Sequence, residues 1–172
     1  MSYPSSTTPT FWLDANAYST LVLSGSNVTQ WNDKSGNNRY AYASAAINNP
    51  TYTGNSIYFP PFQAGVTDAQ LIFNNYITDN ASIDMFIVSK PFNTSQTGTF
   101  RTLIKGLNLG THVVILNSGT TQLGVFYGSL IQYGSLTIDG SSRCLLYVSI
   151  NASYQYTASI NGSLTLSAPT SA

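Results

Sequence analysis

The chain has 172 residues, of which 42% are hydrophobic, and its 6 Lys and Arg side chains balance 6 acidic ones, so the formal net charge is zero. A neutral chain without a cluster of basic residues lacks the positive surface that attracts nucleic acids and anionic membranes. We therefore expect no nucleic-acid partner and no membrane insertion. The apolar and aromatic content can build a core, which excludes a disordered chain.

Residues 1–9 are polar and contain Pro4 and Pro9, which predicts an N-terminal arm. From residue 10 onward, short apolar or alternating runs follow one another between Gly, Asn, Ser and Asp, and such runs predict strands. The predicted strands are Thr10–Asp14, Val28–Trp31, Ser56–Phe59, Gln70–Phe73, Ile83–Lys90, Thr102–Lys105, His112–Asn117, Gln122–Tyr127, Leu130–Tyr133, Arg143–Ile150, Tyr154–Ile160 and Ser163–Ser167.

Local signals predict the turns between these strands. Asp14–Leu23 predicts one short helical turn, with Asp14 or Ser19 as its cap. Asn161-Gly162 stands between two alternating runs and predicts a tight hairpin, because both positions must accept a positive φ. Asp139-Gly140 predicts a second tight reversal.

Alternation assigns the faces of the longer strands. In the strand after Arg143, it puts Leu146, Val148 and Ile150 on one face and the intervening residues on the other. The lone Cys144 at its start is expected to be a small core residue. Met85–Val88 is apolar on both faces, which predicts a central strand.

Ten or more short strands joined by tight turns, with no helical period, are typical of a sandwich or jelly roll. We therefore expect an all-β fold, an antiparallel β-sandwich, that forms one domain over residues 10–172.

Two segments near the start resemble a known family. They are Phe11-Trp12-Leu13-Asp14-Ala15 and Val28-Thr29-Gln30-Trp31-Asn32-Asp33-Lys34-Ser35-Gly36-Asn37. In this order they resemble the opening of concanavalin A-like, laminin-G-like jelly-roll domains. Later segments that fit the same order are Pro50-Thr51-Tyr52, Ile57-Tyr58-Phe59, Ile83–Pro91 and Asn161-Gly162. The resemblance implies a concanavalin A-like jelly roll in a surface or adhesion protein of a large DNA virus, a phage or a bacterium.

The chain departs from that family in two places. Phe59 is followed by Pro60-Pro61 rather than by Gly-Ser, and the chain ends at Ala172, before the last strand of such domains. Either the sequence is a fragment, or another chain completes the open edge. Because a long unpaired edge strand favours pairing, we expect oligomers, which size-exclusion chromatography with light scattering would detect.

The acidic residues argue against catalysis, because all six are Asp and there is no Glu. Jelly-roll glucanases use a pair of carboxylates, usually Glu within one strand, as acid and nucleophile. The closest Asp pair here is Asp79 and Asp84, and no pair has the two- or four-residue spacing of one strand face. A Ser-His-Asp triad would need His112, and no Ser lies in an elbow sequence. We expect a protein that is not an enzyme.

The 12 Tyr among many Asn, Ser and Thr suit neutral glycans, because aromatic rings stack on sugars and amides bind their hydroxyls. We predict a non-catalytic adhesion domain on a virion surface, or alternatively on a bacterial or phage surface. Its partner would be a neutral glycan or the host cell wall. The candidate carbohydrate-binding residues are Asn37, Asn38, Tyr40, Tyr127 and Tyr133.

The same composition allows an alternative function, because Tyr is common in strands for packing reasons. The chain would then be a structural capsid or fibre decoration module that assembles with copies of itself or with other virion proteins. A groove with exposed Tyr and Asn would favour the carbohydrate-binding lectin function, whereas a flat apolar patch would favour the structural function through protein assembly.

The aromatic and acidic residues of the motif are expected to be structural. We expect Trp12 and Trp31 to pack in the core, on strands, rather than to bind sugar. Asp33 can accept backbone N–H groups in a loop whose glycine, three residues later, can take a positive φ. We expect no cofactor and no metal; if a metal binds, the candidate is Ca²⁺ at Asp33 with Asn37 or Asn38, since Ca²⁺ prefers clustered oxygens.

Overall fold

Short strands dominate the computed structural model, which describes residues 9–44, 49–60, 69–74, 83–90, 101–104, 113–116, 122–127, 130–137, 142–150 and 156–168. The chain divides into two compact units, residues 1–77 and 78–172, each with its own sheets. The predicted arm lies outside the described residues except for Pro9. The single domain predicted over residues 10–172 spans both units.

Six short strands form the antiparallel sheet of the first unit, within its described residues. They are β1 (Leu21–Ser24), β2 (Asn27–Asn32), β3 (Tyr40–Ala43), β4 (Thr51–Tyr52), β5 (Ile57–Tyr58) and β6 (Leu71–Phe73). β2 lies at the centre, with β1 along one side and β3 and β4 along the other. β6 extends the sheet beyond β3, and β5 extends it beyond β4.

An irregularity in the β1–β2 ladder sets which side chains of the first unit are buried. The register shifts in the middle of β1, so Val28 and Trp31 lie on the same face although they are three residues apart. This inner face buries Val28 and Ala41 completely. The rings of Phe11 and Phe73 meet edge-to-face with centroids 4.8 Å apart, and Phe73 pairs with Ala41.

Eight strands form two antiparallel sheets in the described residues of the second unit. They are β7 (Ile83–Ser89), β8 (Arg101–Ile104), β9 (Val113–Leu116), β10 (Gln122–Tyr127), β11 (Leu130–Thr137), β12 (Cys144–Ile150), β13 (Tyr156–Ile160) and β14 (Ser163–Ala168). One sheet has the order β8-β9-β10-β11, and the other has the order β7-β12-β13-β14.

The predicted faces of β12 are confirmed. Leu146 and Val148 are fully buried, Cys144 is buried, and Leu145 is exposed; the side chain of Ile150 is outside the description. Alternation holds here because β12 is regularly paired on both sides.

The predicted Asn161-Gly162 hairpin is also confirmed. The two residues have φ angles of 50° and 84° and join β13 to β14. Both values lie in the left-handed region that the two central residues of a type I′ hairpin turn require. The predicted turn at Asp139-Gly140 lies outside the described residues.

Several local predictions are wrong. Thr10–Asp14 is not a strand, and its Phe11–Asp14 part is irregular. The helical turn is a 3-10 turn at Tyr18–Thr20 with no side-chain cap, so neither Asp14 nor Ser19 caps it. The strands β1, β3 and β4 were not predicted, because they are short and β3 alternates Tyr with Ala rather than with a strongly β-forming residue.

The predicted central position of Met85–Val88 is not seen among the described strands. Among the described strands, β7 pairs with β12 alone and is the last strand of its sheet. Phe86 is 63% exposed and Val88 is 70% exposed. The run is apolar on both faces, but only the face of Met85 and Ile87 is partly covered.

The predicted all-β, antiparallel class is confirmed. Every strand pair in the described residues is antiparallel, and the one helical element among them is the 3-10 turn. These sheets are consistent with a β-sandwich. The jelly-roll connectivity stays a prediction.

Candidate functional site

The segment that opens the first unit is fastened to the loop between β2 and β3. Asp33 Oδ1 accepts the N–H of Trp12 at 2.6 Å and the N–H of Ser35 at 2.9 Å. Asp33 Oδ2 accepts the Ser35 hydroxyl. The Lys34 N–H donates to the Trp12 carbonyl at 2.8 Å. We call these contacts between residues 10–14 and residues 33–39 the clasp.

Lys34 adds a charged contact to the clasp. Its Nζ lies 2.8 Å from Asp14 Oδ2 and 4.2 Å from the centre of the Trp12 ring. The hydrogen bond from Lys34 lowers the pKa of the Asp14 carboxyl below its usual 3.8, and it outweighs the opposite effect of burial. Asn16 also donates its N–H to Asp14 Oδ1 at 3.0 Å. The motif residues thus hold two distant parts of the chain together.

The predicted loop-closing role of Asp33 is confirmed by these bonds, and Gly36 has the expected positive φ of 89°. The same bonds occupy the carboxylate that was the candidate Ca²⁺ ligand. Oδ1 already accepts two N–H groups, and N–H groups face this carboxylate where Ca²⁺ would need oxygen atoms. In the described part of the chain, no group of three or more His, Cys, Asp or Glu could hold a metal ion.

The two Trp residues occupy different environments. Trp31 lies on β2, between Leu21 of β1 and Ala41 of β3, on the inner face. Its Nε1 is buried and has no hydrogen-bond partner among the described residues. Trp12 is not on a strand, which corrects the prediction, and its ring is covered by the Lys34 ammonium.

The predicted loop residues Asn37 and Asn38 are exposed. Asn37 Nδ2 donates to the Thr10 carbonyl at 3.1 Å and to Ser35 Oγ at 2.8 Å. Its donor group therefore belongs to the clasp. Asn38 has a φ of 53° and lies two residues before the start of β3.

The third predicted residue of this region, Tyr40, belongs to a larger surface group. Tyr40 pairs with Asn32 and Tyr42 pairs with Gln30 across β2 and β3, so the four side chains share the outer face of the sheet. The Tyr40 and Tyr42 rings have centroids 6.1 Å apart at 57°. We call Gln30, Asn32, Tyr40 and Tyr42 the polar-aromatic patch.

Hydrogen bonds hold the side chains and the backbone of the patch in place. Gln30 Nε2 donates to Asn32 Oδ1 at 2.7 Å. Within the described residues the other amide atoms, Gln30 Oε1 and Asn32 Nδ2, make no hydrogen bond. The Tyr40 N–H donates to Asn74 Oδ1 at 2.9 Å, which fixes the start of β3 against β6. Tyr42 is 38% exposed.

The patch is uncharged. Val22 of β1 pairs with Gln30, and Ile72 of β6 pairs with Tyr42, so both neighbours of that row are apolar. The arrangement offers aromatic rings, one amide acceptor and one amide donor without a charged group in the row.

The remaining predicted residues, Tyr127 and Tyr133, lie in the second unit. Tyr127 ends β10 and pairs with Leu130, and Tyr133 of β11 pairs with Gly124. The structure describes the backbone of these strands but not their side chains, so whether either tyrosine is exposed lies outside the description. Of the predicted residues, Asn37 contributes to the clasp and Tyr40 to the polar-aromatic patch.

Three residues of the patch were missed in the sequence: Gln30, Asn32 and Tyr42. One available signal was the alternation Tyr40-Ala41-Tyr42-Ala43, which places two Tyr on one face of a strand. The pairing of that face with Gln30 and Asn32 had no local signal, because it depends on the register of β2 against β3.

Comparison with protein-family models, with curated proteins and with solved structures finds no match to this chain. In the described residues, no helix has the length and hydropathy needed to cross a membrane.

Proposed function

We propose that this chain is a non-catalytic carbohydrate-binding domain that recognises a neutral glycan through the polar-aromatic patch. The observation that carries the proposal is the Tyr40–Tyr42 ring pair on an outer sheet face, next to the amides of Gln30 and Asn32. An aromatic face beside orienting polar groups is the arrangement that sugar recognition uses.

The chemistry of a sugar matches this surface in two ways. The C–H face of a pyranose is apolar and can cover the exposed part of the Tyr42 ring. Its hydroxyl groups can donate to Gln30 Oε1 and accept from Asn32 Nδ2, which satisfies both partners. The hydrogen bond between the Gln30 and Asn32 side chains reduces the side-chain entropy that binding costs.

The non-catalytic part of the proposal is supported by the state of the acidic groups. Asp14, Asp33 and Asp84 are the aspartates among the described residues, and each carboxylate accepts a hydrogen bond from a neighbouring group. Burial raises the pKa of the Cys144 thiol, which keeps it protonated and poorly nucleophilic.

The biological setting of the proposal is attachment to a host glycan or cell wall from the surface of a virion, or from a bacterial or phage surface. It is supported by the resemblance of Phe11–Ala15 and Val28–Asn37 to concanavalin A-like surface domains. The neutral charge of the chain agrees with an uncharged ligand. No metal or cofactor is part of the proposal.

A glycan array tests the proposal with a matched pair of variants. Tyr42→Ala removes the exposed ring of the patch, and we expect the signal for neutral glycans to fall at least about tenfold. Tyr18→Ala is the control, because Tyr18 is 60% exposed but lies on the 3-10 turn. Its signal should stay within about twofold of the unmodified chain.

Two results would contradict the proposal: no neutral glycan binds the unmodified chain above background, or the two variants lose binding equally. Pull-down on host cell walls with the same three proteins extends the test to insoluble polymers.

A second function is favoured by a separate observation, the exposed apolar side chains Phe86, Val88 and Leu145 of the second unit. They support the alternative of a structural capsid or fibre module that acts through protein assembly. Stable incorporation into particles without any glycan binding would favour this alternative.

A further inference from the structure

The strand β7 at the end of its sheet carries exposed apolar side chains. Phe86 is 63% exposed, Val88 is 70% exposed, and Leu145, which pairs with Val88 from β12, is 42% exposed. The ring of Phe86 lies 4.8 Å from that of Tyr147. β7 pairs with β12 alone among the described strands, so no described strand occupies its other edge, which we call the open edge.

The backbone of β7 presents hydrogen-bonding groups at this open edge. The Leu145 carbonyl accepts the Asn161 N–H at 2.8 Å, and the Leu145 N–H donates to Asn161 Oδ1 at 2.9 Å. Because Asn161 directly follows β13, both backbone groups of Leu145 point towards β13 and away from β7. Hydrogen-bonded pairs alternate along an antiparallel ladder, so Leu145 makes no ladder bond to its partner Val88. The N–H and C=O groups of Val88 and of Phe86 therefore point away from β12.

The charged residues of β7 stand at its two ends. Asp84 lies near the start, and Lys90 follows the last residue directly; both are exposed. They share a face with Phe86 and Val88, because these four positions are spaced by two. The Tyr147 hydroxyl donates to Asp84 Oδ1 at 2.8 Å and positions that carboxylate.

We propose that β7 pairs with β7 of a second copy of this chain, antiparallel and about a two-fold axis at Ile87. This register places Phe86 opposite Val88 of the partner subunit. It also places Asp84 opposite Lys90 of the partner subunit, at both ends of the interface. The two four-stranded sheets then form one continuous sheet across the axis.

The charges select both the occupant and the register. A shift by two residues keeps the outward backbone groups paired, but it separates Asp84 from Lys90 of the partner subunit. A parallel pairing of the same segment would bring Asp84 beside its own copy. The edge is thus complementary to itself, which is the requirement for a two-fold interface. Natural edge strands that avoid such pairing carry Pro, a bulge or a central charge, and β7 has none of these within Ile83–Ser89.

The inference does not rest on glycan binding, because the polar-aromatic patch belongs to the first unit and β7 to the second. A chain that forms the dimer without binding glycan, or the reverse, separates the two proposals.

Charge reversal tests the register. Light scattering after size exclusion should show a dimer of the unmodified chain at high micromolar concentration. Asp84→Lys alone and Lys90→Asp alone place like charges opposite each other, and each should weaken the dimer at least about tenfold. The double variant Asp84→Lys/Lys90→Asp restores opposite charges and should return the dimer to within about threefold of the unmodified chain.

Removal of one backbone donor tests edge pairing. Val88→Pro deletes an N–H that faces the open edge and leaves the β12 ladder bonds in place, so it should give a monomer that still unfolds cooperatively. The matched control Val88→Thr keeps the N–H and should remain dimeric. If Val88→Pro does not fold, the charge-reversal series decides.

Two outcomes would overturn the proposal. One is a monomer at high micromolar concentration, which would mean that the exposed face is covered within one chain or not at all. The other is a dimer that survives both Val88→Pro and the single charge reversals, which would mean that two copies pack face to face instead.

Discussion

A single carboxylate, that of Asp33, organises the start of the first unit. Its two oxygens accept two backbone N–H groups and one hydroxyl from residues on both sides of the clasp. Hydrogen bonds to a charged acceptor are stronger than neutral ones. The loss of this acceptor would leave the Trp12 and Ser35 N–H groups without it, in a part-buried site.

Replacement of Asp33 should therefore destabilise the fold. We expect Asp33→Ala to lower the free energy of unfolding by about 2 kcal/mol, and Asp33→Asn, which keeps one oxygen, by about 1 kcal/mol. Denaturant unfolding monitored by Trp fluorescence measures both. Ser24→Ala, at an exposed position, is the control and should change little.

The same variants test the calcium candidate. Because Asp33 Oδ1 is already occupied by two donors, added Ca²⁺ should leave the melting temperature of the unmodified chain unchanged. An unchanged stability of Asp33→Ala, or a Ca²⁺-dependent rise in melting temperature that Asp33→Ala abolishes, would contradict the clasp as the role of this residue.

The Asp14–Lys34 ion pair predicts a specific pH dependence. The pKa of Asp14 is lowered in the folded chain, so the ion pair stabilises the fold fully when the pH is above the usual Asp pKa of 3.8. This stabilisation is lost as the pH falls through the lowered pKa of Asp14 in the folded chain. Lys34→Met removes the pair. The difference in unfolding free energy between the two proteins should be constant above about pH 5 and should shrink below 3.8.

Denaturant titrations of the unmodified chain and Lys34→Met between pH 2 and pH 7 measure this difference. A residual difference at the acid end is expected from the lost contact of Lys34 with the Trp12 ring. A difference that stays constant or grows as the pH falls would contradict the pair.

Among the elements, the β13–β14 hairpin depends on one turn. Gly162 has a φ of 84°, and Asn161 bonds to the Leu145 backbone of β12 through both its N–H and its side-chain oxygen. The turn therefore fixes the hairpin to the neighbouring strand as well as reversing the chain.

Substitution at this turn should cost stability. Gly162→Ala forces a Cβ into the left-handed region and should lower the free energy of unfolding by about 1 kcal/mol. The adjacent, exposed Ser163 provides the control, and Ser163→Ala should stay within about 0.5 kcal/mol of the unmodified chain. Equal effects of the two substitutions would show that the turn does not need its positive φ.

The sequence could predict the elements that carry their own local signal. The burial of the side chains alternates along β12, which is paired on both sides. Asn161-Gly162 marks its turn by residue type alone. β3 lacked such a signal because Ala fills the positions of its inner face, Ala41 and Ala43. The faces of β2 were hidden by the irregular register against β1, which puts Val28 and Trp31 on the same side.

The candidate site could be predicted only in part, for a related reason. Tyr40 was predicted as a binding residue of the loop formed by residues 37–40, and it lies on β3 instead. Gln30 and Asn32 reach the same surface through strand pairing, which no local pattern encodes. The clasp likewise joins residues about twenty positions apart, such as Trp12 and Asp33, and the resemblance marks these residues without stating what they contact.

At the scale of the whole molecule, the chain carries 6 basic and 6 acidic groups, and the structure locates several of them. In the described residues, Lys34 and Asp14 neutralise each other inside the clasp, and the row that holds Tyr42 and Gln30 is flanked by apolar residues. In the proposed dimer, Asp84 and Lys90 at the ends of β7 form the intermolecular charge pairs. Binding at the patch should therefore depend little on salt, whereas dimerisation through β7 should weaken as salt is raised.

Titration calorimetry at low and high salt measures glycan recognition by the polar-aromatic patch, with the strongest neutral glycan from the array as the ligand. We predict that the unmodified chain and Tyr18→Ala bind with the same affinity at both salt concentrations, whereas Tyr42→Ala binds at least about tenfold more weakly. Binding that Tyr42→Ala leaves intact, or that disappears at high salt, would contradict recognition of a neutral glycan by the polar-aromatic patch.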